Sequence, residues 1–283
     1  MPLRTTPQNL ADYICAVRGK PVDKFEWNNV QVSMILSAWT EPAMLLLLAT
    51  RTCKIRPLGA VNVRNRMEML RPDLCKPGDF GHFDRAVLSA VYSKSVRSVK
   101  RGLEIDLIVS LNVPDSQGRL TDAFRQVFTI LQFTNTVPVT LKTSKSVQKT
   151  LSWQRPVQAS FSMRHQEPTL WAEVCKDYNP IHTSTMAAKV LGFPGKLAHG
   201  NHVVAKAWIA LLQANKHPDD IALSTTLEPV WLQVSFKRPI VMPARLEALY
   251  GQTLLPHDSQ EAINFQVVSK DKVRLAGSIG TLY

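Results

Sequence analysis

Two residues in the stretch Asp177-Tyr178-Asn179-Pro180-Ile181-His182 can exchange protons and lie close enough to act together. Asp177 supplies a carboxylate and His182 an imidazole, the usual general base near neutral pH. Pro180 fixes its own φ and biases Asn179 toward an extended conformation, which stiffens the loop. Asn179 can bond back to the backbone and shape the turn. Asp177 and His182 could then converge on one water molecule. By itself the stretch reads more readily as a turn that caps a helix.

A second element follows at the right distance. Residues 192–201, GFPGKLAHGN, bring His199 and Gly200 to the start of an apolar segment, 199–215, which the pattern predicts to be a buried helix. A helix N-terminus offers free N–H groups and the positive end of a dipole. Gly200 lacks a side chain, so a carbonyl oxygen could approach its amide. An acid/base pair beside an oxyanion donor suits the addition of water to an activated double bond, or its removal.

Around these residues the sequence predicts a strand at 156–163, short helices at 167–176 and 183–193, and four strands at 229–239, 244–255, 261–269 and 272–283. The first half repeats this order weakly. An apolar helix at 31–50 precedes a strand from Ala60, with Val61, Val63, Met67 and Met69 on one face, and further strands at 87–93, 103–112 and 125–133. Strands end at Arg71-Pro72 and again at Arg238-Pro239, a small echo of duplication. Residues 134–150, rich in Thr, Ser and Lys, read as a linker. The expected division is 1–133, 134–150 and 151–283.

The DYNPIH stretch, with Ala188, Gly192, Phe193, Leu197, His199 and Gly200, resembles the hydratase 2 signature of the MaoC-like dehydratases, which include R-specific enoyl-CoA hydratases and 3-hydroxyacyl thioester dehydratases. SFKRPIVMPARL (235–246) resembles a strand ending of the same family. The first half, which has no D-x-N-P-x-H, resembles the degenerate repeat of double-hotdog members, best at VNVRNR and RGLEIDL. The resemblance implies an α+β double hotdog, two long helices each wrapped by antiparallel sheet. It implies (R)-specific hydration of trans-2-enoyl thioesters, or dehydration of (R)-3-hydroxyacyl thioesters. Asp177 and His182 would activate water, the Gly200 amide would hold the thioester oxygen, and Asn179, Pro180 and His199 would support the loop. No metal or redox cofactor is implied, and the CoA or phosphopantetheine arm belongs to the substrate. Cys175-Lys176 stands where the family has Ser-Gly, Asn201 where it has Met, and Ala207-Trp208 where some relatives carry a serine. Trp208 could narrow an acyl tunnel or pack as a core indole. A first half without catalytic residues is expected to have widened to hold a long acyl chain. A non-catalytic acyl-thioester-binding or scaffold protein, and a hotdog thioesterase, are the alternatives.

Composition sets limits on partners. The 283 residues carry 34 Lys+Arg against 22 Asp+Glu, a net charge of +12, which favours an anionic partner such as acyl-CoA or an acidic acyl carrier protein. Lys196, Lys206, Lys237 and Arg238 are candidate contacts for its charge, and solvated surface charge explains each as well. Aromatic residues are scarce and not interleaved with basic ones, which argues against nucleic acid. Four cysteines without metal-ligand spacing, and a start lacking an apolar leader, fit a cytoplasmic protein. Glu41 and Pro42 interrupt 31–50, so no membrane span is expected. Two hotdogs in one chain form their own pseudo-dimer, so a monomer and a homodimer are both consistent.

Overall fold

The computed structural model describes the chain except residues 23, 52, 54, 57–58, 84, 135–153, 215–225, 254–261 and 283. Nearly all of the linker expected at 134–150 therefore lies outside the described residues.

One antiparallel sheet runs through the molecule. Its strands are β1 (Ala60–Met69), β2 (Val87–Val99), β3 (Gly102–Pro114), β4 (Leu120–Phe133), β5 (Gln154–Met163), β6 (Val230–Phe236), β7 (Ala244–Thr253), β8 (Ala262–Ser269) and β9 (Lys272–Thr281). Their order is β2-β3-β4-β1-β6-β9-β8-β7-β5. The half-order β2-β3-β4-β1 recurs as β7-β8-β9-β6, so the duplication hinted at by the Arg-Pro echo is a repeat of topology. The halves join where β1 pairs antiparallel with β6, Met67 opposite Leu232 and Arg64 opposite Ser235. The first half has a remnant of β5's counterpart as well. Pro2 bridges Val87, just as β5 pairs with β7.

Each half wraps one long helix. These are α2 (Asn29–Leu48) and α6 (Gly200–Ala214). Fifteen of the twenty residues of α2 are buried. It is the one helix among the described residues long and apolar enough to cross a membrane, but it is enclosed by protein. Trp39 of α2 packs edge-on against Phe80 and Phe83, and Phe80 meets Trp27. These rings pack α2 against the segment that follows β1.

Shorter helices complete the frame: α1 (Pro7–Arg18), α3 (Glu167–Cys175), α4 (Pro180–Thr183) and α5 (Thr185–Val190). Helix α1 is not among the expected elements, although Leu10, Tyr13, Ile14 and Val17 fall at helical spacing and its punctuation is regular. Thr6 caps it in a capping box with Asn9, Pro7 opens it, and Gly19 closes it at φ 76°. The face expected for Val61, Val63, Met67 and Met69 is broken. A register shift between Asn62 and Arg64 leaves Val61 exposed while Met67 and Met69 are buried.

The helices of the two halves are tied by buried polar contacts. Gln31 of α2 donates to the Ala205 carbonyl of α6 at 3.0 Å and accepts from the Tyr13 hydroxyl at 2.6 Å. Asn201 donates to Ser37 Oγ at 2.9 Å and accepts from Asn65 at 3.0 Å. Unpaired, these groups would cost about 1–3 kcal/mol each. Paired, they fix where α6 begins, and therefore where Gly200 lies.

Candidate active site

The site is built by a sharp turn at the end of α3. Lys176 adopts φ 58°, ψ 17°, the left-handed conformation that favours glycine. This explains the glycine of the family pattern. Lysine adopts the same turn, and its ammonium folds back to donate to the Glu173 carbonyl. That places its charge along α3. Asp177 follows, its Oδ1 accepting from the Asn179 amide at 3.1 Å. Asn179 caps α4 by accepting from the Ile181 amide, and Pro180 opens that helix.

Two carbonyl groups orient two imidazoles. His182 Nδ1 lies 2.9 Å from the Leu197 carbonyl. A carbonyl only accepts, so Nδ1 carries the hydrogen in this contact and the lone pair of the neutral ring is at Nε2. The strap bearing Leu197 is itself pinned, its amide donating to the Ile181 carbonyl and Leu197 bridging Val241. His199 Nε2 lies 3.2 Å from the backbone carbonyl of Asp177 and 3.7 Å from its Oδ2. The two rings stack with centroids 3.8 Å apart and planes 27° apart.

Burial dominates the electrostatics here. It lowers the pKa of His182, and the Leu197 carbonyl and the charge of Asp177 offset that only in part. His199 is pushed well below the usual imidazole range by burial first, then by repulsion from His182 and His202. Both rings are therefore neutral near pH 7, and the Asp177–His199 contact is a neutral imidazole beside a carboxyl group rather than an ion pair.

Asp177, His182 and His199 bring possible ligand atoms within 4.8 Å of one another. A zinc ion lies in the plane of each imidazole that binds it, about 2.1 Å from the nitrogen. Two rings stacked this closely do not meet that condition at one point, so the trio fits proton transfer better than metal binding.

Gly200 opens α6, and its amide has no acceptor among the described residues. Its missing side chain has a packing reason as well. A Cβ at this position would come within 2.2–2.8 Å of three ring atoms of Phe236. The Phe236 ring thus lies directly against the start of α6.

Other expected contacts lie elsewhere. Trp208 is a core indole, fully buried between Tyr250 and Phe265 with centroids 5.5 Å away in each case. Lys206 pairs with Glu167 at 2.8 Å inside the protein, and Lys196 is buried, so neither is a free surface charge. Lys237 and Arg238 are exposed beyond β6, Arg238 donating to the Val273 carbonyl at 3.0 Å. His202 is a structural pin. It bonds the Ala16 carbonyl at 2.9 Å and stacks on Trp171 at 4.9 Å. A cavity of about 1120 Å³ is bordered by Ser160, Pro239, Arg245, Lys270 and Arg274 and includes none of the trio.

The two wrapped helices, the single sheet and the loop between α3 and α6 define a double-hotdog protein. Residues 132–252 match the family model described as MaoC like domain, and that stretch contains the whole Asp177–Gly200 site. Among curated proteins, the chain is 28% identical over 207 residues to the 3-hydroxyacyl-thioester dehydratase X of Mycobacterium tuberculosis. The match covers 73% of this chain and 65% of that relative. Solved structures share the fold across nearly the whole length. The crystal structure of HtdX of Mycobacterium tuberculosis matches with TM-score 0.62 at 22% identity, over 99% of this chain and 97% of that one. A MaoC-like dehydratase from Phytophthora capsici matches with TM-score 0.62 at 12% identity, over 98% and 92%.

Proposed function

We propose that the protein catalyses (R)-specific hydration of trans-2-enoyl thioesters and the reverse dehydration of (R)-3-hydroxyacyl thioesters. The observation that carries this reading is the pairing of Asp177 with a His182 whose Nδ1 is fixed on the Leu197 carbonyl, which leaves Nε2 as an acceptor. The 3-hydroxyacyl-thioester dehydratase named among the relatives supports the same chemistry.

Water would sit between the Asp177 carboxylate and His182 Nε2. Its oxygen bonds to C3 of the enoyl chain as the C2=C3 π bond breaks, and electron density moves to the thioester oxygen. The Gly200 amide, at the positive end of α6, stabilises that oxyanion. The water proton passes through the Asp177–His182 pair to C2 on the same face, so both residues end each turnover as they began. Asn179 and His199 hold the carboxylate and ring in register. Burial serves the mechanism by keeping His182 neutral and able to accept the proton.

The arm of the substrate is CoA or the phosphopantetheine of a carrier protein, and the net charge of +12 suits either anion. Exposed Lys237 and Arg238 are candidates to meet it. The test is loss of enoyl-thioester absorbance on mixing the protein with crotonyl-CoA, longer trans-2-enoyl-CoAs and the same acyl groups on a carrier protein. Turnover supports the reading. Binding without turnover would favour the acyl-binding alternative.

A further inference from the structure

The first half lacks the D-x-N-P-x-H motif, yet it grips the residue that follows the proposed oxyanion donor. Asn201, 5% exposed, donates from Nδ2 to Ser37 Oγ of α2 at 2.9 Å and accepts at Oδ1 from Asn65 Nδ2 of β1 at 3.0 Å. Asn65 in turn accepts at Oδ1 from Asn62 Nδ2 at 2.8 Å. The hydrogen bonds run in one direction, from β1 through Asn201 to α2. Asn62 and Asn65 are three residues apart and would face opposite sides of a regular strand. The register shift between Asn62 and Arg64 lets their side chains meet. The bulge that leaves Val61 exposed therefore also joins Asn62 to this chain.

We propose that Asn201 is a positioning residue for the reaction: held by Ser37 and Asn65 of the first half, it fixes the Gly200 amide where the thioester oxygen develops charge. The inference rests on the hydratase reading above. An oxyanion donor has to lie about 2.7–3.1 Å from that oxygen, so a small shift of the helix start weakens it. Apolar packing has no direction, whereas paired amide and hydroxyl groups hold a helix end at one place. On another side the Phe236 ring lies against Gly200 and limits movement there. Ser37, Asn65 and Asn201 are all buried, and apolar side chains of similar size would fill the same space without the cost of desolvating polar groups. In some proteins buried polar groups are kept for the arrangement they specify rather than for stability. The methionine that the family pattern has at this position carries no donor for Ser37. The half without catalytic residues thereby contributes to the chemistry of the other.

The test uses the full chain as wild type, Ser37→Ala and the triple variant Ser37→Ala/Asn65→Leu/Asn201→Leu. It measures kcat and KM on crotonyl-CoA, melting temperature, and the Gly200 amide signal by nuclear magnetic resonance after labelling with isotopic glycine. Ser37 is 164 residues from Asn201 in sequence, so an effect of Ser37→Ala at Gly200 passes through the hydrogen bond between them. Ser37→Ala should shift the Gly200 signal while that of Gly118, in the turn between β3 and β4, stays in place. Its kcat should fall about 10-fold and its KM change less than about threefold, because the donor acts mainly on the transition state. The triple variant replaces the partners together, so it should melt close to wild type while kcat falls about 10- to 100-fold. A merely structural role would lower kcat and melting temperature together. Wild-type kcat in a folded triple variant would overturn the proposal, as would an unchanged kcat and Gly200 signal in Ser37→Ala.

If the wild type itself shows no turnover, the hydratase reading fails separately. The Gly200 signal of Ser37→Ala then decides alone whether the chain positions that amide. A shift supports the proposal, and an unmoved signal would overturn it.

Discussion

The imidazoles of His182 and His199 lie face to face, 3.8 Å apart, each held by a backbone carbonyl from the other's segment. Leu197, two residues before His199, accepts from His182, and Asp177, five residues before His182, accepts from His199. The loop and the approach to α6 thereby clamp each other and fix the orientation of the His182 ring.

Burial of the clamped His182 ring sets the pH response expected of the proposed reaction. Burial lowers the pKa of His182, so its neutral form persists below the usual imidazole value of about 6.5. The acid limb of kcat/KM on an enoyl thioester should therefore fall below that pH. A limb at or above pH 7 would contradict the assignment of His182 Nε2 as proton acceptor.

Stability should fall on acidification for the same reason. His182, His199 and His202 all have lowered pKa values, that of His202 being pushed down to about 3 by burial. The unfolded chain binds more protons than the folded one below about pH 6.5, so stability present above that pH is lost as pH falls. Melting temperature should drop between pH 7.5 and pH 5. The slope should flatten in His202→Gln, whose side chain takes up no proton on unfolding.

Gly200 is fixed by a ring as well as by chemistry. In Gly200→Ala the new methyl group would meet Phe236, at a cost of about 1–3 kcal/mol. Both stability and turnover should fall. Adding Phe236→Ala opens the contact and should restore melting temperature in part. A Gly200→Ala protein as stable as wild type would show that the ring yields freely.

Lys176 is a strained position with a simple remedy. Glycine tolerates φ 58° without the Cβ penalty, so Lys176→Gly should stabilise the protein by about 0.5–1 kcal/mol in chemical denaturation. Turnover should be retained, since the lysine ammonium is turned back onto Glu173. A large loss of activity would instead give that ammonium a role.

The second half was the more legible in sequence because its signals are local. Alternation marked β6, apolar content marked α6, and proline and glycine punctuation marked the loop between them. The first half required tertiary information. Helix α1 carries Leu10, Tyr13, Ile14 and Val17 at helical spacing, but over a short stretch whose partners α3 and α6 lie far along the chain, and the bulge after Asn62 turns Val61 outward although its spacing matches Met67. Trp208 had two readings until its neighbours Tyr250 and Phe265 placed it in the core. Glu41 looked like an interruption in an apolar helix. It is buried all the same, because the sheet, α3 and α6 enclose α2, and no local pattern encodes that enclosure.

The most direct measurement is the hydration of crotonyl-CoA, followed by loss of enoyl-thioester absorbance, in wild type, Asp177→Ala and His182→Ala. The account predicts wild-type turnover that falls about 100- to 10,000-fold in each variant, with the fold intact by circular dichroism. Turnover at wild-type rates in both variants would contradict it.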